Sequence, residues 1–185
     1  VLETTHKIKA AVFDKTGTVT KGKAAVTDVS AENETELIKI AASAESLSNH
    51  PLAAAVTEYA AKLGIKELYG PENMLDIPGR GISCGINGRK ILLGSSALMS
   101  ESGADISKYE ETAARFSEDG KSVIYVCDSG NVIGLIAVAD EIKDSSRAAF
   151  DRLKKEGIKT VILSGDNKAC AEYIGKLAGA DEVYS

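Results

Sequence analysis

The fold is decided by one stretch, Asp14-Lys15-Thr16-Gly17-Thr18-Val19-Thr20, which directly follows the apolar run Ala10-Ala11-Val12-Phe13. The apolar run predicts a buried strand over about Ile8 to Phe13 that delivers the Asp14 carboxylate. In open α/β sheets, ligands bind in the crevice beyond the carboxyl ends of the strands, where this carboxylate would lie. The Thr and Gly residues after it offer hydroxyls and exposed N–H groups, which suit a phosphoryl group. Asp14 is therefore a candidate nucleophile that would form an aspartyl phosphate.

A second strand end carries a similar set of groups. Leu163-Ser164-Gly165-Asp166-Asn167 follows the apolar residues Thr160-Val161-Ile162 and precedes a predicted helix over Lys168 to Ala178. Two parallel strands that end in hydroxyls and carboxylates can surround one phosphate, next to a helix N-terminus that favours negative charge. Ser164 to Asn167 alone is also an ordinary turn or helix cap. The stretch indicates a phosphate site only in combination with Asp14 at the end of the other strand.

The composition of the 185 residues is that of a globular protein with a sizeable core. The net charge is −5 and the sequence contains no Lys/Arg stripe, which argues against a nucleic-acid partner and an anionic membrane surface. No apolar run approaches the roughly 20 residues of a membrane helix, and we expect no signal peptide. The three cysteines are far apart in sequence, so we expect small buried thiols rather than metal ligands or a disulfide.

The remaining sequence pattern predicts two architectures in one chain. The ends, 1–21 and 132–185, have the strand–helix–strand order of a parallel α/β sheet. The middle, 22–131, combines helix pairs with hairpins, and Asn87-Gly88 is a strong hairpin turn signal. We expect an inserted α+β domain built on an antiparallel sheet; one fold with helix-rich and hairpin-rich halves is the alternative. The predicted strands are 25–29, several short strands within 73–93 that include 82–86 and 90–93, and then 122–127, 132–138 and 158–163. The other predicted helices are 34–47, 52–63, 96–100, 106–117 and 145–156.

The motifs together resemble those of the P-type ATPases, the ATP-driven cation pumps. The stretch from Asp14 resembles their phosphorylation sequence, and Ser164 to Asn167 resembles their TGDN sequence with Ser in place of Thr. Two further motifs resemble the heavy-metal-transporting branch, namely Ser48-Asn49-His50-Pro51-Leu52-Ala53 and Pro78-Gly79-Arg80-Gly81-Ile82. A hairpin rather than a long helix follows these glycines, so a dinucleotide fingerprint is excluded.

The resemblance implies a role for each matching residue. Glu45 and His50 would bind the adenine of ATP beside the glycine motif, since an imidazole can hydrogen-bond to a base and a carboxylate can accept from its amine. Asp140 and Lys143 would contact the nucleotide from a hinge segment; an acidic helix N-terminus is the alternative for that segment. The implied adenine-site residues are Glu45, His50, Gly79, Gly81 and Ile82. The implied phosphorylation-site residues are Asp14, Lys15, Thr16, Thr18, Ser164, Gly165 and Asp166, with Mg²⁺ held by Asp14 and the Thr16 carbonyl.

The resemblance implies a haloacid dehalogenase-like, Rossmann-type phosphorylation domain (1–21 and 132–185) with an inserted nucleotide-binding domain (22–131). ATP or ADP, the transmembrane and actuator domains of a pump, and a heavy-metal cation would be its partners, at the cytoplasmic face of a membrane. The sequence contains neither the later phosphate-clamping lysine nor the GDGxNDxP loop of the pumps. We therefore expect an incomplete catalytic region with poor turnover of its own.

Two other functions stay open. A phosphatase of the haloacid dehalogenase superfamily is disfavoured because Thr16 stands where such phosphatases carry a second Asp as general acid and base. A nucleotide-binding module without activity in isolation is the other. Asn49 and Ser95 depart from the motifs of many relatives, and these departures favour zinc- or cadmium-type pumps over copper-type pumps.

Overall fold

The computed structural model describes residues 8–48, 50–165 and 168–185. Asp166, a predicted site residue, and Asn49, one of the departures, lie outside these ranges. In chain order the strands are β1 (Ala10–Asp14), β2 (Thr20–Ala31), β3 (Glu72–Ile77), β4 (Gly81–Ile86), β5 (Arg89–Gly94), β6 (Ser122–Asp128), β7 (Asn131–Ile142), β8 (Lys159–Leu163) and β9 (Glu182–Tyr184). The helices are α1 (Glu34–Glu45), α2 (Pro51–Lys62), α3 (Ser96–Glu101), α4 (Glu110–Glu118), α5 (Asp144–Lys155) and α6 (Lys168–Ala178). Within the described ranges, every helix is too short or too polar to cross a lipid bilayer.

The chain divides into two compact units. The first comprises the chain up to Lys23, Glu118–Gly120 and the chain from Asp140 onward; the second comprises Ala24–Ser117 and Lys121–Ala139. The predicted phosphorylation range included 132–139, which the structure groups with the second unit. The reason is that β7 pairs with β6 along most of its length, from Asn131 to Val138.

The first unit contains a parallel sheet with the strand order β1–β8–β9. Phe13 of β1 and Phe150 of α5 form a tilted pair with their ring centroids 4.8 Å apart and their planes at 37°. The pair belongs to a core whose buried members are Val19, Phe150, Ile162, Ile174 and Ala178. Burying a side chain of this size contributes about 1.5–3 kcal/mol. Gly175 lets α6 approach β9, because a Cβ there would lie 2.2 Å from a methyl group of Val183.

The second unit is built on a sheet with the order β2–β7–β6–β5–β4–β3, in which the pairs from β3 to β7 are antiparallel. The pleat sends adjacent side chains to opposite faces. Leu93 and Ile136 pack in one core with α1 and α2, whereas their neighbours Leu92 and Leu135 pack in another with α3 and α4. The sheet of this unit is therefore covered by helices on both faces.

Local signals in the sequence account for the boundaries of these elements. The turn between β4 and β5 places Asn87 and Gly88 at φ of +51° and +75°, as a two-residue hairpin of the predicted kind requires. The Asn33 side chain caps α1 by accepting a 3.1 Å hydrogen bond from the N–H of Glu36. Cys84 and Cys127 are buried, as expected, and Cys170 is half-buried.

The predicted fold class is confirmed, since a parallel α/β sheet and an antiparallel α+β sheet occur in one chain. Three details differ. The strand β9 was not predicted, β2 extends over 12 residues instead of five, and β7 continues to Ile142. The extra length of β2 and β7 comes from pairing with each other, a long-range effect that local sequence does not report.

Candidate functional site

The candidate nucleophile stands at the carboxyl end of a parallel strand pair. Asp14, the last residue of β1, lies directly opposite Leu163, the last residue of β8. Ser164 follows at the same edge, where its N–H donates a 2.9 Å hydrogen bond to the carbonyl of Tyr184. Asp14 and Gly165 are exposed and Ser164 is half-buried. The structure thus brings the two predicted strand-end motifs together, as far as its described residues reach.

The residues after Asp14 form a tight turn, Lys15–Val19. Gly17 has φ of +74°, a left-handed conformation that a residue with a side chain adopts only with strain. Thr16, Gly17 and Thr18 are exposed, whereas the side chain of Lys15 is buried. The turn therefore offers hydroxyls and backbone groups beside an accessible carboxylate.

A network from the start of α5 and the strand before it holds this turn. The Asp140 carboxylate accepts hydrogen bonds from the Thr20 hydroxyl at 2.5 Å and the Lys23 N–H at 3.0 Å. The Lys143 ammonium donates to the carbonyl of Gly17. The Ser146 hydroxyl and the Lys143 N–H both donate to the carbonyl of Val19, at 2.8 and 3.1 Å. Asp140 and Lys143, predicted to contact the nucleotide, contact the turn after Asp14 in this structure.

A separate cavity of about 290 Å³ lies within the second unit. Its lining includes all five predicted adenine-site residues: Glu45, His50, Gly79, Gly81 and Ile82. Asp76, Arg80 and Ser95 also line it and were not predicted. Asp76 and Arg80 are charged residues in or beside the glycine motif, and this could have indicated that they line the cavity.

Glu45, the last residue of α1, places a buried carboxylate at the cavity wall. It is 8% exposed, and its Oε2 is the buried side-chain polar atom without a hydrogen-bond partner among the described residues. Burial raises the pKa of the Glu45 carboxyl, and the nearby Asp76 charge adds to this, against the lowering effects of Ser48 and His50. An unpartnered buried acceptor costs folding free energy, so it fits a ligand that brings a donor such as an exocyclic amine.

His50 is the N-cap of α2, and this role fixes its ring chemistry. Its Nδ1 accepts a 3.2 Å hydrogen bond from the N–H of Leu52, so in the neutral imidazole Nε2 carries the proton. The side chain is exposed and lines the cavity. His50 therefore presents a ring face and one N–H donor, both suited to a purine.

The two motif glycines serve different needs. Gly79 has φ of +70° in the turn closed by the Arg80 N–H to the Ile77 carbonyl, and a Cβ there would meet nothing within 4 Å. Gly81 is a close backbone approach, because its Cβ would lie 2.0 Å from the carbonyl oxygen of Leu93. Gly94 meets the same restriction from the carbonyl of Arg80. Gly81 of β4 and Gly94 of β5 thus contribute backbone without side chains to the wall of the cavity.

The predicted metal ligands are oxygen donors. The Asp14 carboxylate and the Thr16 carbonyl are of the type that Mg²⁺ prefers, and both residues are exposed at the strand edge. The described residues contain no cluster of three or more His, Cys, Asp or Glu side chains that could enclose a metal ion. The donor set thus fits an open Mg²⁺ site completed by water and phosphate oxygens, rather than an all-protein cage.

Comparison with known proteins defines the class to which this fold and site belong. The haloacid dehalogenase-like hydrolase family matches residues 8–185, and the chain belongs to that family. Copper-exporting P-type ATPase B of Archaeoglobus fulgidus is 39% identical over 185 residues, which are 99% of this chain and 26% of that protein. The chain spans about a quarter of the length of the curated relatives it matches.

Solved structures agree with this assignment. A zinc-transporting PIB-type ATPase in its E2.Pi state matches with a TM-score of 0.86 and 29% identity, over 95% of this chain and 28% of that one. The catalytic domain of the CPx-ATPase CopB-B, whose structure concerns conformational changes upon nucleotide binding, matches with a TM-score of 0.69 and 27% identity, over 100% of this chain and 65% of that one. The resemblance to heavy-metal P-type ATPases inferred from the motifs is confirmed.

Proposed function

We propose that this chain is the ATP-binding and phosphorylation region of a heavy-metal-transporting P-type ATPase, in which an aspartyl phosphate made from ATP drives cation export. The observation that carries this proposal is the register of Asp14 opposite Leu163, which brings Asp14 and Ser164 to one strand edge. The similarity to copper-exporting and zinc-transporting pumps supports the same conclusion.

In the proposed reaction, an oxygen of the Asp14 carboxylate attacks the γ-phosphorus of ATP in line. The new bond joins this oxygen to phosphorus, the bond from phosphorus to the β–γ bridging oxygen breaks, and ADP leaves with that electron pair. The exposure of Asp14 permits this approach. Thr18, Ser164 and Gly165 supply hydroxyl or N–H donors to the phosphoryl oxygens, with Lys15 and Asp166 as further predicted members of the site.

Asp14 and the Thr16 carbonyl would hold Mg²⁺, which when bound neutralises charge that develops on the transferring phosphoryl group. The side chain of Thr16 affects how long the aspartyl phosphate lasts. It offers no carboxylate to activate water, so hydrolysis of the aspartyl phosphate is slow and the intermediate persists. A persistent intermediate suits a pump better than a phosphatase.

The cavity of the second unit is the proposed site for the nucleotide base. The Glu45 carboxylate accepts from the adenine amine, and the Nε2–H of His50 donates to a ring nitrogen or the imidazole stacks on the base. The orphaned Oε2 of Glu45 supports this assignment. Gly79, Gly81 and Ile82 form the backbone wall beside the base. Asp140 and Lys143 are proposed as positioning residues for the turn Lys15–Val19 and the Thr20 that follows it, because they contact Gly17 and Thr20.

We further propose that 1–21 and 132–185 serve phosphorylation and that 22–131 serves nucleotide binding. The compact units support a boundary after Ala139 in place of the one after residue 131, so that 132–139 would belong to the nucleotide-binding part. The transmembrane and actuator domains of a pump would be partners of this region, at the cytoplasmic face of a membrane. A heavy-metal cation would be the cargo of those membrane segments.

Calorimetric titration of the chain with ATP and with ADP tests the nucleotide site, and binding of both is expected. If neither nucleotide bound, the assignment of the second unit would be wrong. Phosphate release from acetyl phosphate tests the phosphatase alternative. Little or no turnover is expected, whereas rapid multiple turnover would favour a phosphatase and contradict the proposal.

A further inference from the structure

The cavity of the second unit has an uneven charge distribution. Its lining holds the carboxylates of Glu45 and Asp76 and the imidazole of His50. Among the lining residues that the structure describes, Arg80 is the one permanently cationic side chain. Two carboxylates repel a polyphosphate unless a nearby cation offsets their charge. Arg80 is therefore the side chain of this lining that is best suited to attract a polyphosphate.

The backbone of Arg80 is fixed on both sides. Its N–H donates a 2.9 Å hydrogen bond to the carbonyl of Ile77, and its carbonyl accepts a 2.8 Å hydrogen bond from the N–H of Ser95. The adjoining Gly81 is in close backbone contact with Leu93 and Gly94. The guanidinium is therefore presented from a rigid turn, and only its side-chain torsions remain to be set by a partner.

The partner in this structure is a carboxylate outside the cavity lining. Arg80 forms an ion pair with Glu101, the last residue of α3. The two side chains are 42% and 58% exposed, so water and salt screen the pair and it contributes little to stability. Such a pair exchanges readily for a more highly charged partner.

We infer that Arg80 exchanges Glu101 for the phosphate groups of the bound nucleotide, and so selects nucleoside di- and triphosphates over nucleosides. This inference rests on the proposed function of the cavity. The guanidinium is suited to the task because its planar N–H pairs match phosphate oxygens in bidentate fashion. Glu101 then competes with the phosphates for the same cation.

Calorimetric titration with ADP and with adenosine at low salt tests the inference. Arg80→Ala should weaken ADP binding by about tenfold, the loss typical of one charge-assisted hydrogen-bonded pair, and leave adenosine binding unchanged. Arg89→Ala is the matched control, because Arg89 forms a similar ion pair, with Asp128, and has a 40% exposed side chain. Arg89→Ala should leave both ligands unaffected.

A second variant tests the exchange itself. Glu101→Gln removes the competing carboxylate and should strengthen ADP binding about two- to threefold, which corresponds to an exposed ion pair, again without effect on adenosine. The inference is overturned if Arg80→Ala leaves the ratio of ADP to adenosine affinity unchanged, or if Glu101→Gln leaves ADP affinity unchanged or weakens it. If wild-type protein bound neither ligand, the proposed function itself would be wrong, and the two failures are thus distinguishable.

Discussion

The hydroxyl of Thr20 donates a 2.5 Å hydrogen bond to the carboxylate of Asp140, which is 120 residues away in sequence. Thr20 is fully buried, and its oxygen also accepts the N–H of Gly17 at 3.3 Å and lies 3.1 Å from the carbonyl of Lys15. One hydroxyl therefore ties the turn after the candidate nucleophile to the segment that leads into α5. This contact therefore helps to hold the turn Lys15–Val19 in place.

Thr20→Val keeps the shape of the side chain but removes its hydroxyl. It leaves the Gly17 N–H and the Asp140 carboxylate without this partner, so the free energy of unfolding should fall by about 1–3 kcal/mol. Urea denaturation measures this change. Thr20→Ser, which keeps the hydroxyl, is the control and should lose less. Equal stability of Thr20→Val and Thr20→Ser would contradict a structural role for the hydroxyl.

His50 combines a capping role with the proposed adenine contact, and two variants separate them. His50→Asn keeps a side-chain acceptor for the Leu52 N–H, since Asn is a favoured N-cap, but removes the imidazole. We expect near wild-type stability and about tenfold weaker ATP binding in calorimetry. His50→Ala should weaken ATP binding similarly and also cost about 1 kcal/mol of stability. Unchanged ATP affinity in His50→Asn would exclude the imidazole from the nucleotide site.

The buried carboxylate of Glu45 should lower the free energy of unfolding at neutral pH. Because burial raises the pKa of the Glu45 carboxyl, its stabilising contribution is present at low pH and lost as pH rises through the folded-state pKa. Glu45→Gln should therefore be more stable than wild type at pH 7, by about 1 kcal/mol, and this advantage should shrink toward pH 4. Thermal denaturation over this pH range measures it.

The same Glu45→Gln variant should bind ATP more weakly at pH 7, because an amide is a poorer acceptor for the adenine amine than a carboxylate. Glu34→Gln is the control for affinity, since Glu34 is an exposed carboxylate in the first turn of the same helix. A Glu45→Gln variant that was less stable than wild type at pH 7, or that bound ATP equally well, would refute this account of the residue.

The two motif glycines should respond differently to alanine. At Gly79 a Cβ has room, so Gly79→Ala should cost only the left-handed conformation, about 1–2 kcal/mol. At Gly81 the Cβ would collide with the Leu93 carbonyl, so Gly81→Ala should cost about 3 kcal/mol or more. Chemical denaturation of both variants measures the difference. Equal losses would show that the close approach of β4 and β5 is not tightly fixed.

Elements whose shape depends on neighbouring residues in the chain could be predicted from the sequence. The strand that ends at Asp14 follows from its apolar run, and the turn at Asn87 follows from the backbone freedom of Asn-Gly. The strand β9 has only three residues and depends on pairing with Val161 to Leu163. Pairing of this kind is a tertiary effect, so pattern analysis could not find this strand.

The same distinction holds at the candidate site. Residues grouped in short motifs, such as Gly79 and Gly81, could be selected from the sequence and do line one cavity. The contact of Lys143 with the Gly17 carbonyl joins residues 126 positions apart, and no local pattern indicates it. The Arg80–Glu101 pair likewise depends on how α3 returns beside the β3–β4 turn.

We propose above that the carboxylate of Asp14 accepts a phosphoryl group from ATP. In the most direct test, the proposed full-length pump is given ATP radiolabelled at the γ-phosphate, with Mg²⁺ and the proposed metal cargo, and the reaction is followed by acid quenching and peptide mapping. We expect an acid-stable, hydroxylamine-labile label at Asp14 that is absent from Asp14→Asn. A full-length protein that binds ATP but never acquires a label at Asp14 would contradict the proposal.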